Sequence, residues 1–231
     1  MKSETPPKLI ALVGGSGSGK SWLSDRLCQE LGDDSTSLSL DDFYSDRSSL
    51  NPAERSRINF DHPEAIDWPR FENVLRDLQD GRTAFAPRYS FASHTRLTER
   101  RQISPQPFII VEGLWLLWPP QLRELFDLRV FLDCSEWLRW ERRLARDLNE
   151  RSRSADSIRE QFWTVVAPMH ERFVEVQKPW ADLVLEQPIS RAGLGELVAT
   201  IHALRTELRP ASSDIAFSLT PPLRVAALQS L

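Results

Sequence analysis

The chain has 231 residues, of which 41% are hydrophobic and 27% charged, and this composition is typical of a folded globular protein rather than a disordered one. The formal net charge of −4 disfavours general nucleic-acid binding through bulk charge, so any anion site must be a local cluster. Two cysteines are too few for a disulfide framework, and no apolar run is long enough to cross a membrane. The first residues also lack the apolar stretch of a secretory signal, so we expect a cytoplasmic protein.

Short apolar runs alternate with helical patterns along the chain. The first run, residues 9–13, ends at a glycine-rich turn and precedes a helix predicted from Gly19 to Gly32. Further helices are predicted to begin near Pro69, after Ser135 and near Leu194. The remaining strands are predicted at residues 37–40, 108–111, 129–132 and 183–185. This alternation predicts an α/β fold with a mainly parallel five-stranded sheet and helices on both faces.

One domain accounts for most of the chain. Residues 1–209 are expected to form it, and residues 210–231, which hold three prolines and several serines, to form a loosely attached extension. Functional side chains in such folds gather at the carboxyl ends of the strands. The residues at those ends are Gly14, Asp41, Glu112 and Asp133.

The most specific motif lies between the first strand and the first helix. Residues 14–21 match the pattern Gly-x4-Gly-Lys-Ser/Thr. Backbone N–H groups in such a loop point at phosphate oxygens, and the helix N-terminus adds partial positive charge. Lys20 can reach the β- and γ-phosphates, and the Ser21 hydroxyl can bind Mg²⁺. The predicted ATP-binding residues are Gly14, Gly15, Ser16, Gly17, Ser18, Gly19, Lys20 and Ser21.

The carboxylate of Glu112 ends the strand at residues 108–111. This position suits a residue that holds Mg²⁺ through water, and it equally suits an ordinary strand-end carboxylate. A GTPase would need an Asn-Lys-x-Asp segment to read guanine, and no asparagine of this chain is followed by lysine.

Three further clusters carry a resemblance to a known family. They are LDDFY at residues 40–44, NFDHPEAID at 59–67 and PRYSFASHTR at 87–96, followed by VEGL at 111–114 and an arginine-rich run at 142–153. With the phosphate loop, they resemble the uridine kinases (uridine–cytidine kinases) of the phosphoribulokinase/uridine kinase family of P-loop kinases, over residues 8–185. The resemblance implies a P-loop kinase fold with an arginine-rich lid near residues 149–154 and a small base-binding insertion.

The resemblance also implies individual roles on the acceptor side. Asp41 is matched to a general base or orienting group beside the nucleoside 5′-hydroxyl; the simpler alternative is a helix N-cap. Asp61 is matched to a contact with the ribose hydroxyls. Base contacts and pocket walls are implied for Tyr89, His94, Tyr44 and Phe60.

Residues 139–153 hold six arginines against three acids, in a protein that is acidic overall. The simplest interpretation is a solvated helix face. By resemblance, however, Arg146 and Arg151 reach the ATP phosphates, where arginine offers permanently charged, bidentate contacts. Arg143, Arg153 and Gln161 are matched to the nucleoside side. Arg139 and Arg142 are expected at the surface.

Two segments depart from the family pattern. Ser90 stands where the family usually has aspartate, which predicts looser hydrogen bonding in the loop beside the base. Residues 185–190 lack the family's Pro-x-Gly loop near the adenine, so the adenine contacts are not carried over to this chain.

Together these observations predict phosphorylation of the 5′-hydroxyl of uridine or cytidine, with ATP and Mg²⁺. The expected partners are small molecules, with no nucleic acid and no membrane; whether copies of the chain form a homo-oligomer is left open. Two alternatives also remain open. One is a related kinase acting on pantothenate, nicotinamide riboside or a sugar phosphate, and the other is a non-enzymatic nucleotide-binding regulator.

Overall fold

The structure is a computed structural model that describes residues 6–55, 57–150, 153–206 and 223–225. The described strands, in chain order, are β1 (Lys8–Val13), β2 (Ser35–Ser39), β3 (Ala84–Ala86), β4 (Tyr89–Ser90), β5 (Thr95–Arg96), β6 (Arg101–Ile103), β7 (Phe108–Gly113), β8 (Leu128–Asp133), β9 (Leu183–Glu186) and β10 (Leu223–Val225). The α-helices are α1 (Lys20–Leu31), α2 (Pro52–Arg55), α3 (Trp68–Gln79), α4 (Pro120–Arg123), α5 (Glu136–Glu150), α6 (Ala155–Gln161), α7 (Ala167–Met169) and α8 (Arg191–Ala203).

The central sheet has the strand order β10-β9-β8-β1-β7-β2, and every neighbouring pair is parallel. The five predicted strands therefore form one contiguous parallel sheet, as expected. Strand β10 adds a sixth at one edge, from the extension in which we expected no strand. The other residues of that extension, 210–222 and 226–231, lie outside the described residues.

Both faces of the sheet are covered, because alternate side chains of a strand point to opposite sides. Leu9, Ala11 and Val13 of β1 belong to one buried cluster with α3, whereas Ile10 and Leu12 belong to another with α1 and α8. The predicted arrangement with helices on both faces is confirmed. The carboxyl ends of the strands stay uncovered by these helices and meet at one edge.

The helix boundaries follow local signals in the sequence. Gly32 ends α1 with a φ of 58°, and its N–H bonds to the carbonyl of Cys28. Asp67 caps α3 by accepting the N–H of Arg70, and Pro69 occupies the first turn.

Two small antiparallel ribbons, β3 with β6 and β4 with β5, lie between α3 and β7. They correspond to the insertion implied by the family resemblance. Between α6 and β9 the chain contains two π-helical turns, Phe162–Val166 and His170–Val174, and π-helical turns are frequent at functional sites. Within the described residues, every helix is too short or too polar to span a bilayer.

Candidate active site

Strand β1 and helix α1 present the phosphate loop, residues 14–19, at the carboxyl edge of the sheet. Gly17 and Gly19 adopt φ values of 81° and 96°, a region that side-chain-bearing residues rarely occupy. Lys20 opens α1, and its buried ammonium donates to the carbonyl of Gly15 at 3.0 Å. The lysine therefore lies inside the loop.

The back of this loop is packed against α5 and the π-helical turn that follows α7. A Cβ atom on Gly15 would lie 2.6 Å from Nδ1 of His170, and a Cβ on Gly17 would overlap the backbone oxygen of Arg139. Arg142 donates from Nη1 to the carbonyl of Ser18 at 3.1 Å. The glycines are thus required for packing as well as for backbone conformation.

The expected surface location of Arg139 is therefore wrong. Its side chain is buried at 2% exposure against the loop, and its guanidinium lies 5.9 Å from the centre of the Phe162 ring. Arg142 contacts the loop as well. Sequence alone placed these arginines at the surface because it does not show how closely α5 crosses the loop.

Three charged groups converge beside the loop. Burial lowers the pKa of Lys20, against the opposing effect of the Glu112 and Asp41 carboxylates, while the charges of Arg146 and Arg139 lower it further. Burial raises the pKa of Glu112, and so does the nearby Asp41. Lys20 and the hydroxyls of Ser39 and Ser21 favour the ionised form of Glu112.

Ser39 joins the two carboxylate positions. Its hydroxyl donates to Oε1 of Glu112 at 2.5 Å and accepts the backbone N–H of Asp41 at 3.3 Å. Ser39 is therefore the N-cap of the 3₁₀ turn Leu40–Phe43, and the N-cap alternative for Asp41 is wrong. The Asp41 carboxylate makes no hydrogen bond to the described residues. Sequence analysis missed Ser39, although its place at the end of β2 could have indicated it.

The oxygen atoms of Ser21 and Glu112 suit a hard cation. Magnesium prefers such ligands and usually completes its coordination with water and nucleotide phosphates. The described part of the chain has no cluster of three or more His, Cys, Asp or Glu side chains able to hold a metal. The donor set therefore fits an ion that arrives with a nucleotide.

Tyr89 and His94 of the insertion gather with Tyr44 and Phe60 of the main domain. Tyr44 donates to the carbonyl of Phe60 at 3.0 Å, and its ring centre lies 5.1 Å from that of Tyr89. Phe60 stacks on His94 with centres 4.6 Å apart and planes 15° from parallel, and His94 has a φ of 53°. The structure thus brings together the four aromatic residues implied for the base pocket.

Tyr89 has an unusual environment within this group. Its hydroxyl is buried and has no hydrogen-bond partner among the described residues. Burial raises the pKa of Tyr89 to about 12. A buried hydroxyl without a partner is costly, so it is suited to a polar ligand atom.

Charged residues attach the insertion to the main domain. Arg96 donates to the carbonyl of Tyr44 at 2.9 Å and to Oδ2 of Asp67 at 3.1 Å. Asp42 accepts the backbone N–H of Tyr89, and burial raises its pKa. Asp61 and Ser16 of the phosphate loop line one small pocket, so Asp61 lies near the loop.

The second half of α5 brings an arginine to the phosphate loop. Arg143 is 5% exposed, and it donates from Nη1 to Oγ of Ser16 at 2.9 Å and from Nη2 to Oε1 of Gln161 at 3.1 Å. Arg153 donates to the same Gln161 oxygen. This side of α5 is therefore not a solvated face. Arg151 lies outside the described residues.

Asp147 lies at the centre of these arginines. Its side chain is fully buried, and Oδ1 accepts a hydrogen bond from Nε of Arg146 at 2.9 Å and lies 2.8 Å from Nη2 of the same side chain in an ion pair. Arg143 and Arg153 approach Oδ2 at 3.5 and 3.7 Å. Sequence analysis counted Asp147 only as a charge, although its position four residues after Arg143 and next to Arg146 was a usable signal.

The family comparison agrees with this geometry. The sequence model of the phosphoribulokinase/uridine kinase family matches residues 9–191. A uridine kinase from Clostridium botulinum (strain Okra / Type B1) is 38% identical over 200 residues, covering 86% of this chain and 97% of the relative. A uridine kinase from Ligilactobacillus salivarius (strain UCC118) is 36% identical over 207 residues, covering 89% and 94%.

Solved structures with lower identity share the fold. D-glycerate 3-kinase from Cryptococcus neoformans superposes with a TM-score of 0.59 at 18% identity, over 80% of this chain and 89% of that one. Phosphoribulokinase from Rhodobacter spheroides gives a TM-score of 0.57 at 18% identity, over 78% and 70%. Together with the strand order, these similarities confirm the predicted P-loop kinase fold.

Proposed function

Since the chain belongs to the phosphoribulokinase/uridine kinase family, we propose that it transfers the γ-phosphoryl group of ATP to the 5′-hydroxyl of uridine or cytidine. The observation that carries the proposal is that Asp61 and Ser16 of the phosphate loop line one pocket. A triphosphate on one side and a nucleoside on the other would then meet beside Asp41. The uridine kinases reported above support this choice of acceptor.

In the proposed reaction, the 5′-oxygen forms a bond to the γ-phosphorus while the bond from that phosphorus to the bridging oxygen of ADP breaks. Asp41 accepts the proton of the hydroxyl or orients it, and its carboxylate has no competing hydrogen bond among the described residues. Lys20 offsets charge on the phosphate oxygens. Because its ammonium is already fixed inside the loop, little rearrangement is needed at the moment of reaction.

Ser21 and Glu112 are the residues that would hold Mg²⁺. A bound ion would supply positive charge that offsets the negative charge developing on the phosphate oxygens. Ser39 keeps Glu112 in place through its short hydrogen bond.

The arginines complete the phosphate side of the proposal. Arg146 and Arg151 would contact the ATP phosphates, and Arg143, Arg153 and Gln161 would face the nucleoside side. A reaction that consumes ATP and a free nucleoside fits the cytoplasm, which is the location we propose.

The alternative functions find less support in the structure. A sugar-phosphate acceptor would need extra basic groups in the loop at residues 45–66, where the arginines are Arg47, Arg55 and Arg57. Arg55 in that loop donates to the carbonyl oxygens of Leu50 and Arg47, at 2.9 and 3.4 Å. A non-enzymatic regulator would leave the Asp41 carboxylate without a task.

An acceptor screen that monitors ADP release tests the proposal. We expect uridine or cytidine to stimulate ADP release far above the rate without acceptor. Pantothenate, nicotinamide riboside and a sugar phosphate serve as the competing acceptors in parallel reactions. A preference for one of these over both nucleosides would refute the assignment, and no stimulation by any acceptor would favour a nucleotide-binding regulator.

A further inference from the structure

Asp147 is a buried acid in the part of the molecule that would bind the most negatively charged substrate. Its side chain has no exposed surface, and its closest partner among the described residues is Arg146, which donates from Nε to Oδ1 at 2.9 Å and forms an ion pair from Nη2 to the same oxygen at 2.8 Å. One hydrogen bond and one close charge contact from the same guanidinium edge restrict the orientation of that group as well as its position. No role proposed so far uses this carboxylate.

The arginines that face Asp147 also reach the site. Arg143 has Nε at 3.5 Å from Oδ2 of Asp147, while its Nη1 donates to Ser16 of the phosphate loop. Arg146 lies close enough to Lys20 for its charge to lower the lysine pKa, and its side chain is one-third exposed. One carboxylate therefore touches several cations that border the phosphate site.

A negatively charged side chain is unexpected beside a site for a negatively charged nucleotide. A carboxylate near bound ATP repels the triphosphate, so a purely electrostatic account predicts that its removal tightens ATP binding. A geometric account predicts the opposite, because arginines released from the carboxylate would repel one another and adopt many orientations. The two accounts therefore differ in the sign of a measurable effect.

We propose that Asp147 is a positioning residue that acts chiefly through Arg146 and holds its guanidinium in the orientation that meets the transferred phosphoryl group. The side chain is too buried to touch substrate itself. For the identity of the acceptor the inference rests on the proposed function, whereas its effect on ATP binding does not require any acceptor. Preorganised charges of this kind lower the barrier because they need no reorientation during the reaction.

The decisive experiment is a double-mutant cycle between Asp147→Asn and Arg146→Gln. In the wild-type background we expect Asp147→Asn to lower kcat by at least about tenfold, with the nucleoside KM within about threefold of wild type. In the Arg146→Gln background the same substitution should lower kcat by less than about threefold, because the positioned group is gone. A role confined to folding would instead give equal factors in both backgrounds.

Calorimetric titration with MgATP in the absence of acceptor provides the second readout. We expect Asp147→Asn to weaken ATP binding at least about threefold, and to have no such effect in the Arg146→Gln background. This measurement keeps its meaning even if neither nucleoside proves to be the acceptor. Tighter ATP binding by Asp147→Asn would overturn the proposal in favour of simple repulsion.

Two further variants distinguish a loss of activity from a loss of folding. Asp127→Asn is the matched control, because Asp127 is also a buried acid and pairs with Lys8 at 3.7 Å at the opposite end of β1. We expect it to leave kcat within about threefold of wild type. If Asp147→Asn does not fold, Asp147→Glu keeps the charge but displaces the carboxylate, and it should still lower kcat at least about tenfold. A kcat within threefold of wild type for either folded variant at position 147 would overturn the proposal.

Discussion

The phosphate side and the acceptor side of the cleft are built in different ways. On the phosphate side, a loop between β1 and α1 is held from behind by Arg139, Arg142 and His170, and charged groups are buried among one another. On the acceptor side, aromatic rings from two short ribbons pack against Tyr44 and Phe60 of the main domain, and Arg96 and Asp42 connect the ribbons to that domain. The phosphate side depends on the long central elements of the fold, and the acceptor side depends in part on an insertion.

Because the two sides are built differently, we expect them to control different kinetic parameters. Buried charges on rigid elements can be aimed at a transition state, so changes there should appear mainly in kcat. Aromatic side chains in the proposed acceptor pocket would bind an acceptor without reacting, so changes there should appear mainly in KM and in the choice of acceptor. The following predictions test that division, beginning with the largest expected effect.

Asp41 lies at the junction of the two sides, and its replacement should have the largest effect. We expect Asp41→Asn to lower kcat by at least about 100-fold, the usual scale of general-base catalysis, while ATP affinity barely changes. Steady-state kinetics with both substrates varied will check this. Asp25→Asn, on the exposed face of α1, is the matched control. A near-normal kcat for Asp41→Asn would direct the search to Asp42.

His170 tests how tightly the phosphate loop is supported from behind. Burial lowers the pKa of His170 to about 3, with help from the charges of Arg139 and Lys20, whereas an unfolded histidine titrates near 6.5. Below pH 6.5 the imidazole is therefore protonated in the unfolded chain but stays neutral in the native protein. As a result, the free energy of unfolding falls as the pH drops from 6.5 towards 3. Lowering the pH from 7.5 to 5 should therefore reduce the free energy of unfolding by about 2 kcal/mol through this histidine.

Urea unfolding of the wild type and of His170→Asn at pH 7.5 and 5 measures this contribution. Both proteins will lose stability through other groups, and the wild type should lose about 2 kcal/mol more than the variant. An equal loss of unfolding free energy in both proteins would mean that His170 is protonated in the native protein. Water would then reach the back of the loop more easily than the structure indicates.

Replacement of either lid arginine is expected to have the next largest effect, a decrease in kcat of about tenfold. Arg146→Ala and Arg151→Ala should slow kcat more than they raise the KM for nucleoside, because phosphate contacts made in the transition state appear mainly in kcat. Arg159→Ala is the control, since Arg159 is exposed on α6 and pairs only weakly with Asp156 at 3.5 Å. Normal turnover in both lid variants would show that these two arginines take no part in phosphoryl transfer.

The choice of nucleotide donor should show the smallest effect. The anchors of the triphosphate do not read the base, and the loop at residues 185–190 lacks the family pattern that lies near adenine. We expect GTP to be used within about tenfold of ATP in kcat/KM, a difference of at most ~1.4 kcal/mol. Parallel donor titrations at saturating nucleoside decide this.

A preference for ATP above about 100-fold would identify a base-reading group elsewhere. Gln187 would then be the first residue to replace. Its amide nitrogen is buried without a hydrogen-bond partner among the described residues, and its amide oxygen would lie 3.7 Å from a Cβ on Gly19.

Sequence alone was sufficient for the features that depend on short stretches of chain. The apolar runs that form β1, β7 and β8, the glycine that ends α1 and the phosphate loop all follow from local pattern. The aromatic group around Tyr44 came from the family resemblance, since a lone tyrosine is more often part of a core.

Features that depend on distant segments could not be predicted in the same way. The pairing of β10 with β9 joins the extension to the sheet edge, and nothing in three residues of sequence indicates that partner. Arg139 was misplaced because a charged residue near a helix start is usually exposed, whereas here the phosphate loop covers it. Ser39 and Asp147 were overlooked because their importance lies in which neighbours they join.

The close approach of Gly15 to His170 links two positions that are far apart in the chain. A methyl group at position 15 would collide with the imidazole, so a lineage could acquire alanine there only alongside a smaller residue at position 170. The two sites are therefore expected to change together during divergence of the family, as a compensated pair rather than as independent substitutions. A library randomised at both positions and selected for activity would recover that pairing directly.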